Sequence, residues 1–301
     1  GIGRTREGGP GVVSEQATVH ATERLMMRLG AGFAEISVDI YEPKQTEATI
    51  FCLHDYWGNS RDFRHLGPFL VAHQYRVICP DMPGRGDSAY LTDPEQYRPE
   101  TFLVALMAVM HGFKDRHIAI VGKGWGALLA LLLNSRMSFA LDRLIVSDAP
   151  LSWSVDEDEL PPADQLEFAS LESARRSVLA SREFASLPEP FAVALAEGRV
   201  RATENTRFAL RFDPSLVAQL GRYRGGTLDT GRLLARVASP LLYLASNALR
   251  DEDRSELQVC LTNPGSTIAD ALSPNGRIHF NSAHQQHLLL GFLKNRLLAS
   301  S

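Results

Sequence analysis

Five residues, Gly122-Lys123-Gly124-Trp125-Gly126, form the segment of this chain best suited to chemistry. An apolar run at residues 117–121 precedes them and another at residues 127–133 follows, which predicts a strand, a sharp turn and a helix. This is the setting of the G-x-S-x-G turn, whose strained backbone holds out a serine hydroxyl as a nucleophile. The flanking glycines are present, but Gly124 stands in the middle and has no side chain. The sequence therefore predicts a turn built for nucleophilic catalysis that lacks its nucleophile.

Composition limits the partners and the compartment of the chain. Its 301 residues are 45% hydrophobic and 22% charged, with a formal net charge of -4, as in soluble globular proteins that bind no polyanion. Cys52, Cys79 and Cys260 are odd in number and lack metal-ligand spacing, which favours reduced thiols over disulfides or a metal site. We therefore expect a cytoplasmic protein with a small-molecule partner, no cofactor, no metal, no nucleic acid and no membrane partner; the oligomeric state is not predicted.

Strands and helices alternate along most of the chain. Apolar runs rich in strand-forming residues recur between helical patterns, which predicts βαβ units and a mostly parallel sheet with helices on both faces. The strands are predicted at residues 33–41, 49–54, 75–79, 117–121, 144–147, 240–245 and 277–280. A helix is predicted before the first strand, at residues 14–29, and another at the end, at residues 286–298.

The alternation stops between residues 151 and 235. An acidic run and a Pro-Pro pair open this segment, and only helical patterns follow, which predicts a helical insertion. The predicted organisation is an N-terminal extension with a helix (residues 1–30), a core (31–150 and 236–301) and a helical cap (151–235).

The order of these motifs resembles the α/β-hydrolase fold superfamily, in particular its esterase, enol-lactonase and C–C hydrolase branch. His54-Asp55-Tyr56-Trp57 follows one strand, the turn from Asp81 to Ser88 follows the next, and the glycine turn and His284 come later. The resemblance implies an α/β-hydrolase fold with a cap, and a site that combines an oxyanion hole, a nucleophile, an acid and a histidine.

The oxyanion hole implied by the resemblance involves two loops. His54 matches the histidine of the family's oxyanion strand, but Asp55 stands where the family has glycine. The backbone N–H groups of Tyr56 and Trp125 would be the donors, because main-chain donors survive side-chain replacement. The carboxylate of Asp55 would bring negative charge to this place, which argues against acyl chemistry. Trp57 and Trp125 would line the pocket or fill it.

The resemblance also implies a histidine after the last strand. His284 follows the strand predicted at residues 277–280 and is the first choice. His287 is three positions further on, so it would face the same side of a helix and is the alternative.

No acid stands at the expected position after the strand predicted at residues 240–245. Asp251 or Asp253 could replace it if the loop is displaced. Asp148, after the preceding strand, is the other candidate, because some family members take their acid from that strand end.

Without a hydroxyl or thiol at position 124 there is no acyl-enzyme, and loss of the nucleophile costs on the order of 10⁶ in rate. We therefore predict a catalytically degenerate hydrolase that binds a small ligand under the cap. The alternative is an active hydrolase or lyase in which His284 acts as general base on a water molecule. Lys123 and Cys52 are weaker candidates for a nucleophile, because Lys123 is expected to point away from the pocket and Cys52 lies inside a strand.

Overall fold

The computed structural model describes residues 4–7, 19–136, 141–153, 166–220, 228–247, 249–273 and 276–295. Within these ranges, nine strands form one sheet in the order β1-β2-β3-β5-β4-β6-β7-β13-β14. The strands are β1 (Arg4–Glu7), β2 (Val19–Leu29), β3 (Gly32–Glu42), β4 (Ala48–Leu53), β5 (Tyr75–Pro80), β6 (Ile118–Lys123), β7 (Arg143–Ser147), β13 (Leu241–Ala245) and β14 (Thr267–Asp270). The remaining strands, β8 (Ser152–Trp153), β9 (Glu167–Phe168), β10 (Val200–Ala202), β11 (Phe208–Leu210) and β12 (Leu228–Asp229), lie outside it.

Most of the sheet is parallel. β5, β4, β6, β7, β13 and β14 pair in parallel, and β1, β2 and β3 extend the sheet antiparallel on one side. The carboxyl ends of the parallel strands therefore meet along one edge, where loops from several strands can place side chains together.

Helices cover both faces of the sheet. The nine α-helices in the described residues are α1 (Leu66–Ala72), α2 (Pro99–Gly112), α3 (Trp125–Arg136), α4 (Leu171–Leu179), α5 (Glu189–Gly198), α6 (Ser215–Gln219), α7 (Thr230–Leu234), α8 (Asp251–Cys260) and α9 (Ala283–Leu293). α2, α3, α7 and α8 bury apolar side chains in one cluster, and α1 and α9 bury theirs in another. The central strands β4, β5, β6, β7 and β13 are buried on both faces, which explains why they read as unbroken apolar runs. The mostly parallel sheet with helices on both faces that the sequence predicts is present. Of the helices in this part of the chain, none is both long and apolar enough to cross a membrane.

The insertion packs over the carboxyl edge of the sheet. Of the insertion predicted at residues 151–235, the structure describes residues 151–153, 166–220 and 228–235. Residues 166–220 contain α4, α5 and α6 and also a small sheet of β9, β10 and β11, so the segment is mixed rather than purely helical as predicted. The backbone joins it to the core, because Gly86 N donates to Arg211 O at 2.9 Å and Asp213 N donates to Gly84 O at 2.7 Å. We call residues 166–220 the cap. The helical pattern at residues 163–181 of the insertion is a helix only over α4, Leu171–Leu179, because residues 167 and 168 form β9; residues 163–165 lie outside the described ranges.

Two predicted elements are wrong. The helix predicted at residues 14–29 is strand β2 from Val19 onward, and it pairs along its whole length with β3. Ala21, Leu25 and Leu29 are buried at a spacing of four, which suits a helix and a strand equally well, but Met27 is buried too, which only a strand explains. The strand predicted at residues 277–280 is a loop, and the last strand is β14.

Candidate active-site cleft

Gly124 lies at the apex of a sharp turn between β6 and α3. Its φ is +55°, a left-handed conformation that costs most residues with a side chain about 1–2 kcal/mol. Gly124 N donates to Ser147 O at 2.8 Å, and Gly124 O accepts from Leu128 N at 3.2 Å. The strand, turn and helix predicted around position 124 are therefore present.

The turn packs tightly against the end of β4. A Cβ on Gly126 would lie 2.3 Å from the carbonyl oxygen of Leu53, so only glycine fits there. This close approach brings the N-terminal end of α3 beside the loop that follows β4, where Asp55 lies.

The Asp55 carboxylate binds the two backbone N–H groups predicted to form the oxyanion hole. Its Oδ1 accepts from Tyr56 N at 2.7 Å and from Trp125 N at 2.9 Å. Two converging main-chain donors are the arrangement that stabilises a developing oxyanion in acyl transfer. In this chain the donors hold an oxygen of the protein itself.

The same carboxylate fills the space in front of Gly124. A Cβ built on Gly124 would lie 2.4 Å from Asp55 Oδ1, 2.5 Å from its Cγ and 2.6 Å from its Oδ2. A serine side chain at position 124 would therefore clash with the carboxylate. The absence of a side chain at Gly124 and the position of Asp55 are two parts of one arrangement.

Asp55 lies at the wall of a cleft of about 850 Å³ between the core and the cap. Aromatic side chains of Trp57, Phe168, Phe184 and Phe212 line this cleft. So do charged groups, among them Arg182, Glu183, Arg199 and Arg277. The cleft has the size and the mixed lining typical of small-molecule sites.

The side chain of His54 is buried and joins two loops by hydrogen bonds. It is 1% exposed, its Nε2 accepts from Met82 N at 3.0 Å, and its Nδ1 therefore carries the proton donated to Asp55 O at 2.7 Å. Burial, with the charges of Arg85 and Arg199, lowers the pKa of His54 to about 3. The neutral ring braces the loop after β4 against the loop after β5.

The side chains of Trp57 and Trp125, predicted to line or fill the pocket, and of Tyr56, predicted as a backbone donor, lie in different surroundings. Trp57 lines the cleft, whereas Trp125 is 1% exposed and lies in the core. The Tyr56 hydroxyl donates to Leu216 O at 3.0 Å, and the Arg85 guanidinium stacks 4.4 Å from the centres of both the Tyr56 and Trp125 rings. The side chains of Tyr56 and Trp125 are therefore packing elements, while their backbone N–H groups serve Asp55.

His284 lies on the exposed face at the start of α9. Its Nε2 is 2.8 Å from Asp270 O, and His287 on the same helix is exposed as well. Neither imidazole lines the cleft that contains Asp55. The structure thus does not bring His284 into the group formed by Asp55 and Gly124.

His279, which the sequence analysis missed, is the buried histidine after the last strand. It is 3% exposed, and its Nδ1 lies 2.7 Å from Lys123 Nζ. The ammonium of Lys123 can only donate, so Nδ1 is the acceptor and Nε2 carries the proton of the neutral ring. Burial and the charge of Lys123 lower the pKa of His279 to about 2. With Nδ1 occupied by Lys123 and a proton on Nε2, the ring has no free lone pair with which to act as a general base.

Lys123 and His279 are part of a buried charge network that joins the cap to the core. Arg199 from the cap donates to both carboxylate oxygens of Asp62, at 2.7 and 2.8 Å, and to Glu183 at 2.9 Å. Glu183 Oε1 is 3.7 Å from Lys123 Nζ. Lys123 is 2% exposed, so it neither reaches the solvent nor faces the cleft.

Asp148 supports the loop that carries His279. Its Oδ2 accepts from Ile278 N at 3.2 Å, and its backbone has a φ of +53°. Burial raises the pKa of Asp148 to about 6, against the opposing charges of Lys123 and Arg277. Asp148 lines a second cavity of about 710 Å³ and is not among the residues that line the cleft containing Asp55.

The alternative acids lie elsewhere. Asp253 pairs with Arg250 through two hydrogen bonds of 2.9 Å, and Asp251 is exposed at the start of α8. Among the described residues, no group of three or more His, Cys, Asp or Glu side chains is arranged to hold a metal ion.

Comparison with known proteins confirms the α/β-hydrolase fold predicted from the sequence. The sequence profile of the alpha/beta hydrolase family matches residues 50–287, and the chain belongs to that family. A crystal structure of an alpha/beta hydrolase from Novosphingobium aromaticivorans superposes with a TM-score of 0.74 at 19% identity, covering 92% of this chain and 99% of that one.

Curated relatives match over shorter segments. A serine hydrolase-like protein of Dictyostelium discoideum is 22% identical over 46% of this chain and 38% of its own length. A proline iminopeptidase of Lactobacillus crispatus is 31% identical over 39% of this chain and 41% of its own length. The chain therefore matches less than half the length of these relatives.

Proposed function

We propose that this chain is a hydrolase-fold protein that has lost the serine mechanism and binds a small molecule in the cleft under the cap. One observation carries the proposal: Asp55 Oδ1 accepts from both Tyr56 N and Trp125 N, and the same carboxylate fills the space in front of Gly124. In this account glycine stands where relatives have serine, and a carboxylate of the chain stands where an acyl oxyanion would form.

The state of the histidines supports the same proposal. His279 has its Nδ1 taken by Lys123, the reverse of a triad, in which Nδ1–H donates to an acid and the other nitrogen is a base. His284 is exposed and contacts the carbonyl of Asp270, which gives no support to the alternative in which it activates water.

The lining indicates the class of ligand. Trp57, Phe168 and Phe212 offer aromatic surface for an apolar body, and Arg182 and Arg277 offer charge for a carboxylate or carbonyl end. A small arylalkyl carboxylic acid has both features and a volume that the cleft of about 850 Å³ accommodates.

Isothermal titration with phenylalkanoic acids of increasing chain length tests the proposal. We expect saturable binding to the wild type and its loss in Ser177→Trp, because Ser177 lines the cleft and the indole would fill it. Ser255→Trp is the matched control, since Ser255 is exposed on α8, outside the cleft. No saturable binding, or equal binding by wild type and Ser177→Trp, would reject the proposal.

A further inference from the structure

The second cavity, of about 710 Å³, lies at the carboxyl ends of β7 and β13. Asp148, directly after β7, is part of its wall, and α8 contributes Asp253 and Glu256. Open α/β sheets bind their ligands at the carboxyl ends of the parallel strands. Of the lining residues that the structure describes, only Arg277 also lines the cleft that contains Asp55, so the two spaces are distinct sites with one shared side chain.

The lining of the second cavity has an excess of negative charge. Its acidic residues are Asp148, Asp229, Asp253 and Glu256, and its basic residues are Arg250 and Arg277. Arg250 donates to Asp253 through two hydrogen bonds of 2.9 Å, and Arg277 Nη1 lies 3.7 Å from Asp55 Oδ2. Both cations of the lining therefore already have a carboxylate partner, and the cavity favours a positively charged ligand.

The two oxygens of the Asp148 carboxylate have different surroundings. Oδ2 accepts from Ile278 N at 3.2 Å, whereas Oδ1 is buried and has no hydrogen-bond partner in the part of the chain that the structure describes. Lys123 places positive charge nearby, but its ammonium lies 2.7 Å from His279 Nδ1 and 3.7 Å from Glu183 Oε1. A buried carboxylate oxygen without a donor is unfavourable, so a donor from a ligand would stabilise it.

We propose that the second cavity binds a primary alkylammonium ion, whose ammonium group donates to Asp148 Oδ1. Such an ion supplies both the N–H donor that this oxygen lacks and the positive charge that the lining favours. Its alkyl chain packs against Leu151, Leu249 and Tyr243, which line the same cavity. The inference goes beyond the proposed function, because it concerns another cavity and a ligand of the opposite charge.

The side chains around Asp148 suit an ammonium ion better than a metal ion or a water molecule. Among the described residues, no group of three or more His, Cys, Asp or Glu side chains is arranged to hold a metal ion, and hard cations need several oxygen ligands. A water molecule could donate to Oδ1, but it would leave the excess negative charge of the lining uncompensated.

Isothermal titration with n-hexylamine tests the inference at about pH 7.5, where the amine is protonated, and 1-hexanol is the neutral probe of the same shape. Asp148→Asn keeps an acceptor for Ile278 N and removes the charge that attracts the ammonium. Asp142→Asn is the matched control, because Asp142 also accepts a backbone N–H, from Ile118 at 2.7 Å, but is exposed and lies outside the cavity.

We expect one hexylamine per chain, bound at least ~10-fold more tightly than hexanol, and a loss of at least ~10-fold in affinity in Asp148→Asn, because a hydrogen bond between charged groups is worth at least that factor. Asp142→Asn should bind the amine as tightly as wild type. So should Ser177→Trp, in which the indole fills only the cleft that contains Asp55.

Nitrogen-15 NMR of the backbone amides locates the ligand in the wild type, without any substitution. Ile278 N donates to the carboxylate that would receive the ammonium, so its resonance should shift on addition of hexylamine. No saturable binding, equal affinities for hexylamine and hexanol, or undiminished binding by Asp148→Asn would overturn the inference.

Loss of amine binding in Ser177→Trp would place the ammonium in the cleft that contains Asp55 and would overturn the inference too. The proposed function is tested separately, by the binding of phenylalkanoic acids. Amine binding that depends on Asp148 supports the second site even if those acids do not bind, and acid binding without amine binding overturns this inference alone.

Discussion

The carboxylate of Asp55 and a side chain at position 124 would occupy the same space, since a Cβ on Gly124 would lie 2.4 Å from Asp55 Oδ1. Asp55 comes from the loop after β4 and Gly124 from the turn after β6, and these strands are neighbours in the sheet. The side chains that positions 55 and 124 can hold are therefore coupled by geometry, although the two positions are 69 residues apart in the sequence.

The first prediction concerns this coupling. Gly124→Ser alone should destabilise the fold by about 2–4 kcal/mol, because the side chain meets the Asp55 carboxylate and must adopt a positive φ. Asp55→Ala removes the clash, so in Asp55→Ala/Gly124→Ser the loss should be smaller than the sum of the single losses by at least about 1 kcal/mol. Urea unfolding of the four proteins gives these free energies.

Gly32→Ser is the matched control for this cycle. A Cβ on Gly32 meets no atom within 4 Å, so the free energy of unfolding should change by no more than about 0.5 kcal/mol. Additive losses at positions 55 and 124 would show that the carboxylate does not occupy the space that the serine needs.

The second prediction concerns the protonation of His279. Its pKa is lowered from 6.5 to about 2 by burial and by Lys123, so the ring should stay neutral, with the proton on Nε2, from about pH 8 down to about pH 4. Nitrogen-15 NMR of the imidazole distinguishes the acceptor Nδ1 from the protonated Nε2. The exposed His284 serves as internal comparison. A titration of His279 between about pH 6 and pH 7 would contradict the assignment.

The third prediction concerns Asp148. Its pKa is about 6 in the folded chain against 3.8 ordinarily, so the folded state binds this proton more tightly, and the resulting stability is lost as pH rises through 6. Asp148→Asn keeps an acceptor for Ile278 N and does not titrate. The variant should therefore be more stable than wild type by about 1–2 kcal/mol near pH 7.5, and the difference should vanish as pH falls below the ordinary pKa of 3.8.

Urea unfolding at several pH values measures this difference. Asp142→Asn is the control, because Asp142 also accepts a backbone N–H, from Ile118 at 2.7 Å, but is exposed. A stability difference for Asp148→Asn that does not change with pH would contradict the raised pKa of Asp148 in the folded chain.

The fourth prediction concerns the ion pair between the cap and the core. Arg199→Met leaves Asp62 buried without its bidentate partner and should destabilise the fold by about 3–5 kcal/mol. Replacing both residues, in Asp62→Asn/Arg199→Met, should recover much of this loss, because no charge is then buried alone. Arg207→Met breaks an exposed pair with Glu167 and should cost about 0–1 kcal/mol. Equal losses for Arg199→Met and Arg207→Met would contradict the burial of the network.

The sequence predicted the main sheet and the turn at Gly124 well, because buried parallel strands and the glycine turn leave strong local patterns. It failed where one pattern suits two structures. Ala21, Leu25 and Leu29 repeat at an interval that fits a helix or a strand, and pairing with β3 decides in favour of β2.

The same kind of ambiguity hid His279. The apolar residues Ile278 and Phe280 on either side of it predicted a strand that includes His279. The first histidine after that predicted strand is His284, which therefore became the candidate. In the structure these apolar side chains are buried from a loop, and Phe280 has a φ of +54°. The hydrogen bond of His279 with Lys123 and its proximity to Glu183, at 4.0 Å, join distant segments, so no local pattern could predict them.

Hydrolysis of p-nitrophenyl acetate and of short lactones tests the central claim most directly, which is that Asp55 and Gly124 together have removed the serine mechanism. We predict that the wild-type rate stays within the residual ~10³ over water that binding and an oxyanion hole alone can provide, and that His279→Ala and His284→Ala leave it unchanged. A wild-type rate well above that level, abolished by either substitution, would contradict the account.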